Sequence, residues 1–94
     1  MKTVTLQIGN SDDKLTQLKW SNFVSCVDKL LSDAYSVTRH FTACSPGDEM
    51  WQNACWVFTI HPNEIDEIKR ELTVIRAKYE QDSAAWTEGE TEFV

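Results

Sequence analysis

Asn53-Ala54-Cys55-Trp56-Val57-Phe58-Thr59-Ile60 decides the fold, because its largest apolar residues stand at every second position. At a period of two, Ala54, Trp56, Phe58 and Ile60 share one face, and Cys55, Val57 and Thr59 share the other. So heavy a side suits a central strand lying beneath helices. Pro62 stops the strand, Asn63 offers a helix N-cap, and Glu64, Asp66 and Glu67 place negative charge where the helix dipole favours it. Ile65, Ile68, Leu72, Ile75 and Tyr79 then recur at helical spacing, and Lys69, Arg70, Arg76 and Lys78 enrich the later turns. The pattern predicts an amphipathic helix to about Glu80.

Upstream, Thr3-Val4-Thr5-Leu6-Gln7-Ile8 alternates strictly and ends in the turn-forming Gly9-Asn10-Ser11-Asp12-Asp13. Thr16 is a good N-cap, and Leu15 can pack on Trp20 as a hydrophobic staple. Trp20, Phe23, Val24, Val27, Leu30, Leu31 and Ala34 predict a helix over roughly 17–33. From Tyr35 to Cys44 the period returns to two. Tyr35, Val37, Phe41 and Ala43 form the apolar side, Ser36, Thr38, His40, Thr42 and Cys44 the other, and Arg39 is a misfit on the apolar side. Pairing Phe41 near Trp56 or Phe58 would match the apolar faces. Ser45-Pro46-Gly47-Asp48 signals a turn whose tip carries Met50 and Trp51. A last strand begins near Ser83, with Ala84 and Trp86 on one side and Gly89 marking a bulge or bend.

Strand, helix, strand, strand, helix, strand is the order of a ferredoxin-like α+β sandwich, one domain over 1–94. Its antiparallel sheet order is 4-1-3-2, with both helices on one face. The opposite face would show Thr3, Thr5, Gln7, Thr38, His40, Thr42, Cys55, Val57, Thr59, Ser83, Ala85 and Thr87. Such a face is either solvated or paired with a second copy, as in dimeric α/β barrels, and a homodimer is expected.

Composition narrows the partners. With 94 residues and 41% hydrophobic content, the chain suits one compact core. Fifteen acidic against nine basic residues give a net charge of −6, which repels a phosphate backbone. RNA-recognition domains share the topology but stack bases on open-face aromatics of the third strand, whereas Trp56 and Phe58 are expected on the core side. No nucleic-acid partner is expected. No apolar run approaches the roughly 20 residues that cross a bilayer, and Met1-Lys2-Thr3 leads into a strand pattern rather than a secretory segment, so a cytoplasmic setting without membrane association is expected. Cys26, Cys44 and Cys55 lack C-x-x-C spacing and read as free thiols.

No cofactor is implied and no catalytic set stands out. Two places can hold a site. One is the aromatic space between sheet and helices, where Arg39, Asn53, Trp56 and Trp86 could surround an anion, with Trp20 and Tyr79 as walls. Arg39 otherwise needs a carboxylate partner such as Asp82 or Glu88. The second place is the open face around His40, with Cys44 and Cys55 nearby; a metal there would lack a fourth ligand, so none is expected. His61, before a proline, reads as helix-start chemistry. Glu88, Glu90 and Glu92 would form a row of carboxylates if the last strand continues, either to hold a basic protein or to blunt the sheet edge.

Three stretches, Val4 through Gln17, Trp51-Gln52-Asn53-Ala54-Cys55-Trp56, and Gln81-Asp82-Ser83 through Trp86-Thr87-Glu88-Gly89, together resemble small uncharacterised proteins encoded by bacteria and their phages. The resemblance implies a small accessory protein and points to Asn10, Asp12, Asp13, Gln17, Gln52, Asn53, Gln81 and Asp82. The expected function is a non-enzymatic binding protein that engages a protein or a small ligand, in its sharpest form a phage-type inhibitor or decoy acting on a host defence protein in the host cytoplasm. The alternative is a small enzyme of the dimeric α/β barrel type, a cofactor-independent monooxygenase or isomerase using the sheet–helix space; a packed core would exclude that pocket.

Overall fold

The computed structural model describes residues 1–46, 51–92 and 94. Its elements are β1 (Lys2–Gly9), a 3-10 turn (Ser11–Asp13), α1 (Gln17–Asp33), β2 (Thr38–Cys44), β3 (Asn53–Ile60), α2 (Pro62–Lys78) and β4 (Ala85–Gly89). All strand pairs are antiparallel and the sheet order is β2-β3-β1-β4, the expected ferredoxin-like topology. The expected tip residues Gly47 to Met50 lie outside the described residues, as does Phe93.

Alternation in the central strands builds the core. Val4, Leu6 and Ile8 of β1 and Ala54, Trp56, Phe58 and Ile60 of β3 are buried against Trp20, Phe23, Val27 and Leu31 of α1 and Ile65, Ile68 and Leu72 of α2. Burying each large side chain contributes about 1.5–3 kcal/mol before ordering costs are counted. Thr16 caps α1 as expected, its hydroxyl accepting the Lys19 N–H at 3.2 Å, and Leu15 is buried beside that start. No helix among the described residues is long and apolar enough to cross a membrane.

The start of α2 differs from expectation. His61, rather than Asn63, is the N-cap: its Nδ1 accepts the Asn63 N–H at 3.1 Å, and Pro62 occupies the first turn. An imidazole can cap in this way because its unprotonated nitrogen is a good acceptor. Glu64 then reaches back to the α1–β2 turn. One carboxylate oxygen accepts the Tyr35 N–H at 2.9 Å, and the other accepts the Ser36 N–H at 2.6 Å and the Ser36 hydroxyl. Those bonds make Tyr35-Ser36 a turn rather than strand, so β2 begins only at Thr38.

The second difference is a β-bulge. Arg39 pairs with Phe58 and Phe41 pairs with Val57, leaving His40 as the extra residue. Directly opposed residues share a face, so Arg39 lies on the helix side while Phe41 and Ala43 move to the open side, opposite Val57 and Cys55. Thr42 and Cys44 take the helix side instead. The expected apolar side of this strand is therefore split in two, and every residue of β2 is exposed.

Candidate functional site

The chain gathers its loops at one end of the sheet. β1 ends there at Gly9, β2 at Cys44, β3 starts there at Asn53 and β4 at Ala85. Residues 4–17, 51–56 and 81–89 thereby meet in space. Asn10, 2% exposed, is the hub: its side-chain oxygen accepts the Leu15 N–H at 2.9 Å, its Nδ2 donates to the Leu15 carbonyl at 3.0 Å, and its backbone N–H donates to the Gln52 carbonyl at 2.9 Å. Gln52, equally buried, donates through Nε2 to Gln17 Oε1 at 2.9 Å. These amides lock the β1–α1 loop to the β2–β3 hairpin, so their part in the site is to hold its shape.

Backbone strain sits on the same two loops. Asp12, Asp13 and Trp51 have φ of 54°, 53° and 60°, the left-handed region, which Asp tolerates and which is uncommon for a bulky residue. Asn53 closes the hairpin base: its N–H donates to the Ser45 hydroxyl at 2.8 Å and its Nδ2 to the Trp51 carbonyl at 2.6 Å. A Cβ at Gly9 would stand 3.1 Å from Asn53 Oδ1, so the glycine lets this amide approach β1. Between these strands is an open cleft of about 540 Å³ lined, among the described residues, by Gln7, Gly9, Cys44, Ser45, Asn53, Cys55, Ser83 and uncharged neighbours. Amides, hydroxyls and thiols can hydrogen-bond a neutral polar ligand. Asp12 and Asp13 are exposed on the β1–α1 loop.

Gln81 and Asp82 lie on the α2–β4 loop at the same end. Gln81 is 3% exposed, donates to the Tyr79 carbonyl at 3.0 Å and accepts Arg76 at its own carbonyl at 3.1 Å; it finishes α2 after Glu80, whose φ is 59°. Asp82 is exposed.

Arg39, Trp56 and Trp86 do not surround a pocket. The space beneath the helices is filled: Trp56 and Phe58 are fully buried, Trp20 meets Phe23 edge-on at 6.0 Å, and Phe23 stacks on Tyr79 at 5.1 Å. The expected sheet–helix cavity is absent among the described residues because aromatic side chains occupy it. Tyr79 also contacts Cys26 Sγ at 3.4 Å, and that bond together with burial pushes its phenol above its ordinary pKa. Arg39 pairs with Asp28 of α1 at 2.6 Å rather than with Asp82 or Glu88, and also donates to the Asp28 carbonyl and to Ser32. Trp56 donates its indole N–H to the same Asp28 oxygen. Trp86 packs edge-on against Phe58 at 5.8 Å, lies under the Lys69 ammonium and donates to Glu88.

Nor do the carboxylates of the last segment form a free row. Glu88 is held by the Trp86 N–H and by Lys69 at 3.4 Å, and both interactions lower its pKa. Glu90 meets Lys2 at 2.6 Å, which lowers the carboxyl and raises the amine. β4 stops at Gly89, before the row is complete.

The open face contains the residue that periodicity misplaced. Thr3, Thr5 and Gln7 of β1, Cys55, Val57 and Thr59 of β3, Thr38, Phe41 and Ala43 of β2, and Ala85, Thr87 and Gly89 of β4 share it through their pairings. None is charged. Phe41 is 57% exposed, while Val57 beside it is half-buried. His40, at the bulge, is exposed, and Cys44 is moved off the face that holds Cys55, so the three do not converge. The signal for the bulge was present in the sequence: an arginine inside an apolar alternation marks the point where the alternation changes side.

No protein-family model and no curated protein matches this chain. Among solved structures it is similar to a dimeric ferredoxin-like protein of unknown function from Thermobifida fusca, with a TM-score of 0.66 and 8% identity, covering 97% of this chain and 92% of that one. An amidohydrolase/peptidase candidate from Burkholderia cenocepacia matches at a TM-score of 0.42 and 14% identity, and the overlap spans 26% of that chain. The first likeness shows the ferredoxin-like fold of this protein, in agreement with its strand order.

Proposed function

We propose that the protein is a small non-enzymatic binding protein that works as a homodimer closed through the open face of its sheet. The observation that carries this reading is the chemistry of that face: twelve residues from four strands with no charge, on a chain of net charge −6, with Phe41 turned onto it by the bulge. Two copies of an acidic protein repel, and an uncharged, partly apolar face is where they meet at least electrostatic cost. The dimeric state of the Thermobifida fusca protein supports a homodimer. Gln7, Ala43, Cys55 and Ala85 belong both to that face and to the loop-end cleft, so the dimer encloses a small neutral ligand in the cleft between its copies and meets a protein partner through the exposed loop end beyond it.

In its sharpest form the dimer is a phage-type inhibitor or decoy that binds a host defence protein in the host cytoplasm. The resemblance of the three loop-end stretches to small bacterial and phage-encoded proteins supports this form. Light scattering tests the dimer: twice the 10.8 kDa chain mass for the native protein and a single chain mass for Phe41→Glu with unchanged circular dichroism. A native monomer at tens of micromolar overturns it. Affinity capture from host lysate on the native dimer and on a loop-end variant, Trp51→Ala, tests the binding role, which requires a protein retained by the first and lost by the second.

A further inference from the structure

The helical layer carries a second, differently built surface. α1 and α2 enclose a groove of about 470 Å³ whose floor is Ile68, Leu30, Ala34 and Ile75. Its walls run from Cys26 to Ala34 and from Glu64 to Ile75, about 12 and 16 Å at 1.5 Å per residue, the length of two to three helical turns. Four carboxylates, Asp33, Glu64, Glu67 and Glu71, stand along it against the single ammonium of Lys29, so the groove holds half of the chain's net charge of −6.

Two of those charges are committed within the chain. Asp33 meets Lys29 at 3.4 Å, and Glu64 is turned to Tyr35 and Ser36. The exposed side chains of Glu67 and Glu71 make no hydrogen bond or ion pair among the described residues, and they stand four positions apart on one helix face, where like charges weaken a helix. We infer that this groove docks a basic amphipathic helix of a partner protein, aliphatic side chains on the half-buried Leu30 and Ile75 and lysines or arginines on Glu67 and Glu71. Charge selects the occupant. A second copy would bring the same acidic groove, and anionic lipid or nucleic acid would bring more negative charge, whereas a basic helix neutralises the walls while its apolar stripe covers the floor. The groove lies on the layer opposite the open sheet face, so it stays free in the proposed dimer.

The probe is a fluorescein-labelled helical peptide of about 14 residues with leucine and lysine at amphipathic spacing, and its twin with glutamate for lysine. Anisotropy titration of the full chain should show saturable binding of the lysine peptide that weakens with rising salt, and none of its twin. Glu67→Lys with Glu71→Lys should weaken the lysine peptide at least about tenfold and gain the glutamate peptide. Asp66→Lys with Glu92→Lys, the same change in net charge outside the groove, should stay within about twofold of the native protein. Circular dichroism confirms that both variants are folded. Equal weakening by both pairs, or no saturable binding by the native chain, overturns the inference.

Discussion

Trp56 donates its indole N–H to Asp28 Oδ1 at 3.1 Å, and Arg39 Nη1 reaches the same oxygen at 2.6 Å. One carboxylate on α1 thus satisfies the polar atom of a fully buried tryptophan and anchors an exposed edge strand. The two bonds differ in worth. A buried N–H left without an acceptor costs about 1–3 kcal/mol, whereas an ion pair with this much exposure is worth no more than about 1.

Asp28→Ala should therefore destabilise the protein by about 1–3 kcal/mol and Arg39→Ala by less than about 1, with Asp28→Asn between them because its amide oxygen still accepts the indole. Urea unfolding followed by tryptophan fluorescence measures all three. An Arg39→Ala loss equal to that of Asp28→Ala would show that the ion pair, not the indole bond, dominates.

Asn10→Ala removes both partners of Leu15 and leaves its buried N–H bare, which should cost about 1–3 kcal/mol. The loss should appear locally. Amide hydrogen exchange at Leu15, and at Asn53 across the hairpin, should accelerate more than at the β1–β3 centre.

Glu64 gives an acid limb to stability. The Ser36 hydroxyl, then the Ser36 and Tyr35 N–H groups, hold its carboxyl below the ordinary glutamate value despite partial burial. The unfolded chain consequently binds this proton more readily than the folded one, so stability rises with pH in that range. The contribution is complete above the ordinary glutamate pKa and disappears as pH falls through the lowered folded value. Glu64→Gln should flatten that part of the melting temperature against pH, and a profile parallel to that of the native protein would contradict the assignment.

Much of the fold was legible because β1, β3 and both helices obey one period from end to end. Val4, Leu6 and Ile8, or Trp20, Phe23, Val27 and Leu31, need no tertiary information to declare a buried side. β2 was not legible, since one extra residue at His40 inverts every side chain after it; only Arg39 hinted at the change. Asp28 was hidden on the polar stripe of α1, and its role depends on a tryptophan 28 residues away. At the loop end, no local pattern around Asn10 and Gln52 declares them buried, and their burial follows from a hairpin that only the folded sheet brings alongside. The groove between the helices was missed for a similar reason. Glu67 and Glu71 lie on separate turns of α2, and the apolar floor they flank is completed by α1.

Whether the open sheet face joins two copies is read from intermolecular nuclear Overhauser effects in a dimer mixed from labelled and unlabelled chains. Cross-peaks should link the Phe41 ring, the Val57 methyls and the threonine methyls of Thr5 and Thr87 between subunits. Intermolecular cross-peaks confined to Leu30, Ile68 and Ile75 of the helical layer, or none at all, would contradict this interface.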